Sequence, residues 1–264
     1  MPRPILRRLL RRFVPRPLLS DPAQVDDLAH PGIVPQTAAR STRMGSMIDL
    51  TAADGHSFGA YRAGSEGAAR ALVVVQEIFG VNRHIRELCD GFAAEGYAVV
   101  APALFDRVQR GVELGYGPEG VAAGRALRTK VPETGALADI EAAAQALGAV
   151  PLGIVGYCWG GTIAWWGATR SHAFKAAVGW YGGGIAATRT ERPNCPVQLH
   201  FGEKDAGIPL ADVDAIRAAQ PGVEVFVYPG AGHGFGCTER DSFKPDARDL
   251  AQQRTLAFLA QNLG

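Results

Sequence analysis

The sequence predicts an α/β domain in which a mostly parallel central sheet is covered by helices on both faces, the doubly wound arrangement. Three observations carry this. Continuous apolar runs of strand length recur along the chain, as in strands buried on both faces. Segments with a 3.6-residue period lie between most of them. Polar residues able to do chemistry stand where strands end, and sheets of this kind bind ligands beyond the carboxyl ends of their strands. The 264 residues, 47% hydrophobic and 20% charged, suffice for the core of one domain.

The first 45 residues are a separate compositional unit. Residues 1–43 hold eight arginines against three aspartates, whereas the remainder holds 19 basic and 23 acidic residues. Within that unit Ile5, Leu6, Leu9, Leu10 and Phe13 alternate with Arg7, Arg8, Arg11 and Arg12, the pattern of a basic amphipathic helix that could lie on an anionic surface. Prolines 2, 4, 15, 17 and 22 confine such a helix to under three turns, which is marginal in water. We therefore expect a basic extension over 1–45, disordered or briefly helical. It should make no stable membrane association and at most weak peripheral contact through residues 4–14.

The domain itself is expected over 46–264. MIDLTA and SFGAYRA, joined through Asp54-Gly55, read as a leading hairpin. Strands are predicted at 71–76, 97–103, 152–157, 176–182, 197–202 and 223–230. Helices are predicted at 83–95, 136–148, 159–170, 210–219 and 244–262. Residues 108–135, rich in glycine and polar side chains, are expected to shape a pocket.

The formal charge of +1 and pI near 7.7 argue against a whole-protein pull on nucleic acid, so a small-molecule partner is expected. No run of 18 apolar residues is present to span a membrane. Cysteines 89, 158, 195 and 237 form no C-x-x-C pair and suggest neither a disulfide framework nor structural zinc. A reducing cytoplasm fits them. His84 with Cys89, and His233 with Cys237, have loosely metal-like spacing, but a ligand set ordinarily brings a second pair. No metal and no cofactor are expected.

Four strand ends carry candidate residues: Glu77, Cys158, Asp205 and His233. Free cysteine is among the most buried residue types, and an isolated G-x-C-x-G arises by chance. Yet Gly156-Tyr-Cys158-Trp-Gly160 has the form of a nucleophile elbow at a strand-to-helix passage, with glycines where the bend brings backbone together. The helix N-terminus there favours a thiolate, and the Trp159 amide becomes a candidate oxyanion donor. Asp205 and His233 follow in loops after later strands, giving the chain order nucleophile, acid, histidine of α/β-hydrolase triads. Asp212 and Asp214, rival acids, fall on a helix whose solvated face explains them. Glu77 stands directly after an apolar strand, where it is either a buried structural acceptor or a partner for the Cys158 thiol. The Ile78 amide beside it could complete an oxyanion hole.

With these residues assembled, the chain from about 46 to 262 resembles the dienelactone hydrolase family, also called carboxymethylenebutenolidases. The blocks DGHSFGAYRA, QEIFGVN, GYAVVAPALFDR, VGYCWGG, GWYGGG and AGHGF carry the likeness. The resemblance implies an α/β-hydrolase fold without cofactor; separately, a monomer is expected. It implies hydrolysis of a cyclic enol ester through Cys158, Asp205 and His233, with Glu77 helping to form the thiolate and the amides of Ile78 and Trp159 as oxyanion hole. It also implies that Arg107 binds a substrate carboxylate and that Phe79, Trp180 and Tyr181 contribute to substrate binding. Two positions depart from the family pattern: Gly234 stands where a serine is usual, and Cys237 where a second carboxylate-binding arginine is usual. Arg240 is a candidate replacement. A broader esterase or thioesterase, and a non-hydrolytic thiol redox sensor, remain alternative readings.

Overall fold

The computed structural model describes residues 45–264. The basic extension, including the helix pattern of residues 4–14, lies outside the described residues. The strands are β1 (Ser46–Thr51), β2 (Ser57–Ala63), β3 (Ala71–Val75), β4 (Ala98–Pro102), β5 (Leu152–Tyr157), β6 (Ala176–Trp180), β7 (Val197–Gly202) and β8 (Glu224–Tyr228). The helices are α1 (Arg83–Ala94), α2 (Pro118–Arg128), α3 (Glu133–Ala146), α4 (Trp159–Arg170), α5 (Leu210–Ala219) and α6 (Pro245–Leu263). One eight-stranded sheet results, in the order β1-β2-β4-β3-β5-β6-β7-β8. The leading hairpin pairs antiparallel, β2 joins β4 antiparallel, and the remaining pairings are parallel.

The central strands β3 to β6 are buried along their whole length, as their unbroken apolar sequences require. Helices cover both faces. The backbone of Gly153 faces Leu259 and Leu263 of α6, and the next residue, Ile154, points the other way toward Gly167 of α4, because successive residues of a strand alternate sides. β8 differs from the predicted fully buried strand. As the last strand it has a neighbour on one side only, and Glu224 to Val227 are exposed or half-buried.

Helix boundaries follow local chemistry. Asn82 caps α1 by accepting the Ile85 N–H at 3.3 Å, and α2 and α6 each begin with proline, whose missing N–H costs nothing at that place. The region 108–135, expected only to shape a pocket, contains α2 and the start of α3. Helix α2 escaped prediction because its apolar stripe is thin: Val121 and Leu127 are only half-buried against the core, and Gly124 is its one fully buried residue. A side chain at Gly124 would overlap the Ile78 carbonyl, so glycine is what lets α2 lie against the end of β3.

The chain runs from β3 outward to β4 and then returns past β3 to β5, so the strand order reverses between β3 and β5. Val75 pairs with Gly156 across that boundary. Two residues further along each strand stand Glu77 and Cys158. The passage from β5 into α4 requires a close backbone approach, since a Cβ on Gly156 would overlap the Gly160 carbonyl and one on Gly160 would overlap the Val75 carbonyl. Gly156→Ala is expected to lower stability by about 3 kcal/mol, as for overpacking against immovable backbone. Urea unfolding measures it, and a loss within experimental error would refute the close-approach account.

Candidate active site

Cys158 sits between β5 and α4 with φ 55° and ψ −115°, one of two non-glycine residues with positive φ among the described residues, the other being Tyr181. Such a conformation is strained for a residue with a Cβ and persists where surroundings over-determine it. Here the Cys158 N–H donates to the Trp180 carbonyl at 2.9 Å, and the Cys158 carbonyl accepts from Gly161 and Thr162 in the first turn of α4. The bend turns the thiol out of the sheet. Trp159, as the first residue of α4, has an N–H with no acceptor one turn back.

The loop after β8 brings His233 to the thiol. Its Nε2 lies 3.1 Å from Cys158 Sγ, and its Nδ1 lies 2.8 Å from Asp205 Oδ2. Asp205 comes from the loop after β7, its side chain fully buried, and its other oxygen accepts the Gly207 N–H at 2.8 Å. The Ser242 hydroxyl donates to the His233 carbonyl at 2.6 Å and fixes the loop. Sulfur, imidazole and carboxylate therefore form one continuous hydrogen-bonded line. Burial opposes a charge on the imidazole, but Asp205 and Cys158 outweigh it and raise the His233 pKa to about 10.

Glu77 is fully buried, and neither of its oxygens meets a hydrogen-bond donor at bonding geometry. Arg240 Nη1 stands 3.5 Å from its Oε1. Burial pushes the carboxyl pKa up, against the pull of Arg240, His233 and Tyr116. Gln76 holds this strand end in place, donating to the Glu77 carbonyl and accepting the Leu104 N–H.

A cavity of about 520 Å³ opens over the thiol. Cys158, Asp205 and His233 line it together with Ile78, Phe79 and Trp159. Four cations also face it: Arg125 and Arg128 from α2, Lys204, and Arg240. The one carboxylate among the lining residues, Asp205, is already engaged by His233. The two arginines of α2 were missed from sequence because the helix carrying them was missed.

Three residues expected at the substrate stand elsewhere. Arg107 makes a two-pronged pair with Asp139 at 2.9 and 2.7 Å and a third bond to Asp54 at 2.7 Å, tying the β1–β2 turn to α3. It is not among the residues lining the cavity. The 3-10 turn Leu104–Arg107 directs its side chain toward α3, a displacement that the motif PALFDR does not reveal. Trp180 and Tyr181 also lie outside the lining. Trp180 is buried, donating to Thr255 and stacked on Phe235, and Tyr181 packs 5.2 Å from the His233 ring. They form a floor under the histidine loop.

The two departures at 234 and 237 belong together. Gly234 has φ 76°, and a Cβ there would meet the Arg240 guanidinium at 2.7 Å. With no side chain at 234, Arg240 lies against this backbone, over the rings of Phe79 and Tyr116, and reaches the cavity. Cys237 is buried behind it.

The raised pKa of His233 fixes a pH dependence. The folded protein holds the imidazolium proton more tightly than the unfolded chain, whose histidine titrates near 6.5. The resulting stabilisation is complete below pH 6.5 and is lost as pH rises through about 10. His233→Gln should remove that part of the decline, so wild-type and variant urea midpoints should converge with rising pH. Parallel curves over that window would contradict it.

Comparison with known proteins now adds to this geometry. The family model described as "Dienelactone hydrolase family" matches residues 58–263. A Synechocystis sp. protein named "Putative carboxymethylenebutenolidase" is 38% identical over 208 residues, covering 71% of this chain and 84% of its own. An Escherichia coli protein of the same name is 35% identical over 216 residues, covering 75% and 79%. Among solved structures, a "Putative Dienelactone Hydrolase" from Klebsiella pneumoniae superposes with a TM-score of 0.69 at 35% identity, covering 82% of this chain and 99% of that one. With the fold matched and the match running from β2 to the end of α6, the chain belongs to the dienelactone hydrolase family and is a carboxylic-ester hydrolase.

Proposed function

We propose that the protein opens a carboxylate-bearing cyclic enol ester through a Cys158-His233-Asp205 triad and an acyl-thioester intermediate. The observation that carries this reading is the unbroken line Asp205 Oδ2, His233, Cys158 Sγ at 2.8 and 3.1 Å, set in a cavity rimmed by cations. Glu77 takes the thiol proton as substrate draws Arg240 away, and the thiolate, paired with the His233 imidazolium, attacks the ester carbonyl. The tetrahedral oxyanion forms against the amides of Ile78 and Trp159. As it collapses, the carbon–oxygen bond of the ester breaks, and the enolate leaving group takes the proton from imidazolium. Water, deprotonated by His233, then attacks the thioester, the carboxylic acid product departs, and the released thiolate recovers its proton from Glu77. Asp205 holds the imidazole tautomer throughout. Glu77 lies at the neighbouring strand end, where its carboxylate can take up the thiol proton when substrate draws Arg240 away.

Arg240 supplies the anion clamp that position 237 lacks. Its place in the cavity, made possible by Gly234, and the bonds that occupy Arg107 both favour this assignment. The absence of any disulfide among the four cysteines is compatible with a cytoplasmic setting. No helix among the described residues is long and apolar enough to cross a membrane.

Cys158→Ala and His233→Ala should each lower lactone turnover by about 10³-fold or more. Undiminished turnover in either variant sinks the triad, and sulfenic acid formation without ester turnover in wild type would favour a thiol sensor. Arg240→Ala should raise KM for a carboxylate-bearing lactone by roughly tenfold or more, the equivalent of about 1.5–3 kcal/mol for a charged hydrogen bond, while sparing a neutral aryl ester. The same selectivity loss appearing in Arg107→Ala instead would return the clamp to Arg107. Equal effects on both substrates would favour a broader esterase.

A further inference from the structure

Behind the thiol, three residues from distant parts of the chain converge on one buried point. Glu77 ends β3, His84 is the second residue of α1, and Cys237 lies in the loop after β8. One ligand-capable atom from each lies within 4.8 Å of the other two. All three residues are buried, Glu77 completely and His84 at 4% exposure. His84 Nε2 and Glu77 Oε2 are without a hydrogen-bond partner, and Glu77 Oε1 has the Arg240 guanidinium at 3.5 Å. Unsatisfied buried polar atoms are costly, and two of them beside a buried thiol form a set that a cation would satisfy.

We propose that Glu77, His84 and Cys237 form a binding site for a zinc-class divalent cation that restrains the neighbouring Cys158 centre. The donor set is one oxygen, one nitrogen and one sulfur, the mixture that suits borderline-soft transition metals and disfavours magnesium or calcium. Bonds of about 2.0–2.3 Å place tetrahedral ligands within about 4 Å of one another, so rotamer adjustments from the present spacing suffice. His84 Nε2, which meets no hydrogen-bond partner, offers its lone pair as the nitrogen ligand. Cys237 binds as thiolate and releases its proton to solvent on binding. The anionic carboxylate and thiolate together balance the dication.

Arg240 is the competitor. Its guanidinium stands 3.5 Å from Glu77 and repels an incoming cation, so metal entry requires it to swing toward the cavity. Once the cation holds Glu77, that carboxylate can no longer take up the Cys158 proton. The sequence pairs His84 with Cys89 and His233 with Cys237 disguised this grouping, because the fold joins one member of each.

Titration of the full chain with Co²⁺ tests the site, read by thiolate-to-cobalt charge-transfer absorption. Wild type and Cys158→Ser should both develop the band at one cation per chain, and His84→Ala and Cys237→Ser should lose it while unfolding cooperatively. Cys237→Ser nearly conserves volume and guards against simple misfolding. The proposal is overturned by a wild type that shows no band at several-fold excess of Co²⁺, by a band that survives either His84→Ala or Cys237→Ser, or by one that vanishes in Cys158→Ser. In a second arm, Zn²⁺ should suppress wild-type ester turnover several-fold and leave Cys237→Ser unaffected, and equal suppression of both would refute the restraint on Cys158. This arm rests on the hydrolase reading, whereas the absorption titration decides the site even if no ester is turned over.

Discussion

The close approach of the first turn of α4 to the ends of β3 and β5 is the constraint on which the rest of the site depends. Only glycine at 156 and 160 allows it, since any Cβ there would overlap main-chain carbonyls. The approach holds Cys158 at positive φ, turns the thiol outward, and leaves a helix N-terminus facing the reacting atoms. Because Val75 pairs with Gly156, the same register that forms the sheet carries Glu77 and Cys158 to equivalent places on adjacent strands. Sheet pairing and site assembly are thus one event.

Charge then differentiates the two sides of the thiol. Toward the cavity, the His233–Asp205 pair favours a proton on the imidazole. Behind it, desolvation disfavours ionisation of Glu77, offset in part by Arg240. A carboxylate buried in this manner is poor for stability and useful for chemistry: its charge state responds to whatever neutralises or displaces the nearby guanidinium. A carboxylate substrate would do so by drawing Arg240 away, and a divalent cation by taking its place. Both act on the same strained balance between one arginine and one buried acid.

Much of this could be read from residues alone. The unbroken runs ALVVV, LGIVGY and AAVGW became central strands because no face of them is left for water, and α4 and α5 occupy the residues that their period indicated. Cys158, Asp205 and His233 were legible as candidates because strand ends carry the chemistry of such sheets, and the fold joins them by hydrogen bonds. Less readable were elements without a strong pattern. Helix α2 has only a thin apolar stripe, Val121 and Leu127 about Gly124, and with it the cavity arginines Arg125 and Arg128 went unnoticed. Arg107 sat in a block resembling its family, yet a motif records proximity along the chain and not the direction of a side chain.

The sequence by itself determined the layered fold, the glycine-flanked bend at Cys158 and the chain order of the candidate reacting groups, since these follow from local periodicity, glycine placement and strand ends. Only the tertiary structure decided which charges meet which. Arg107 is consumed by Asp139 and Asp54, partners far from it in the chain, while Arg240 occupies space that a missing side chain at Gly234 leaves open. His84 and Cys237 stand beside Glu77 for the same reason. Long-range pairings of polar groups are set by packing geometry, which the spacing of residues along a chain does not encode.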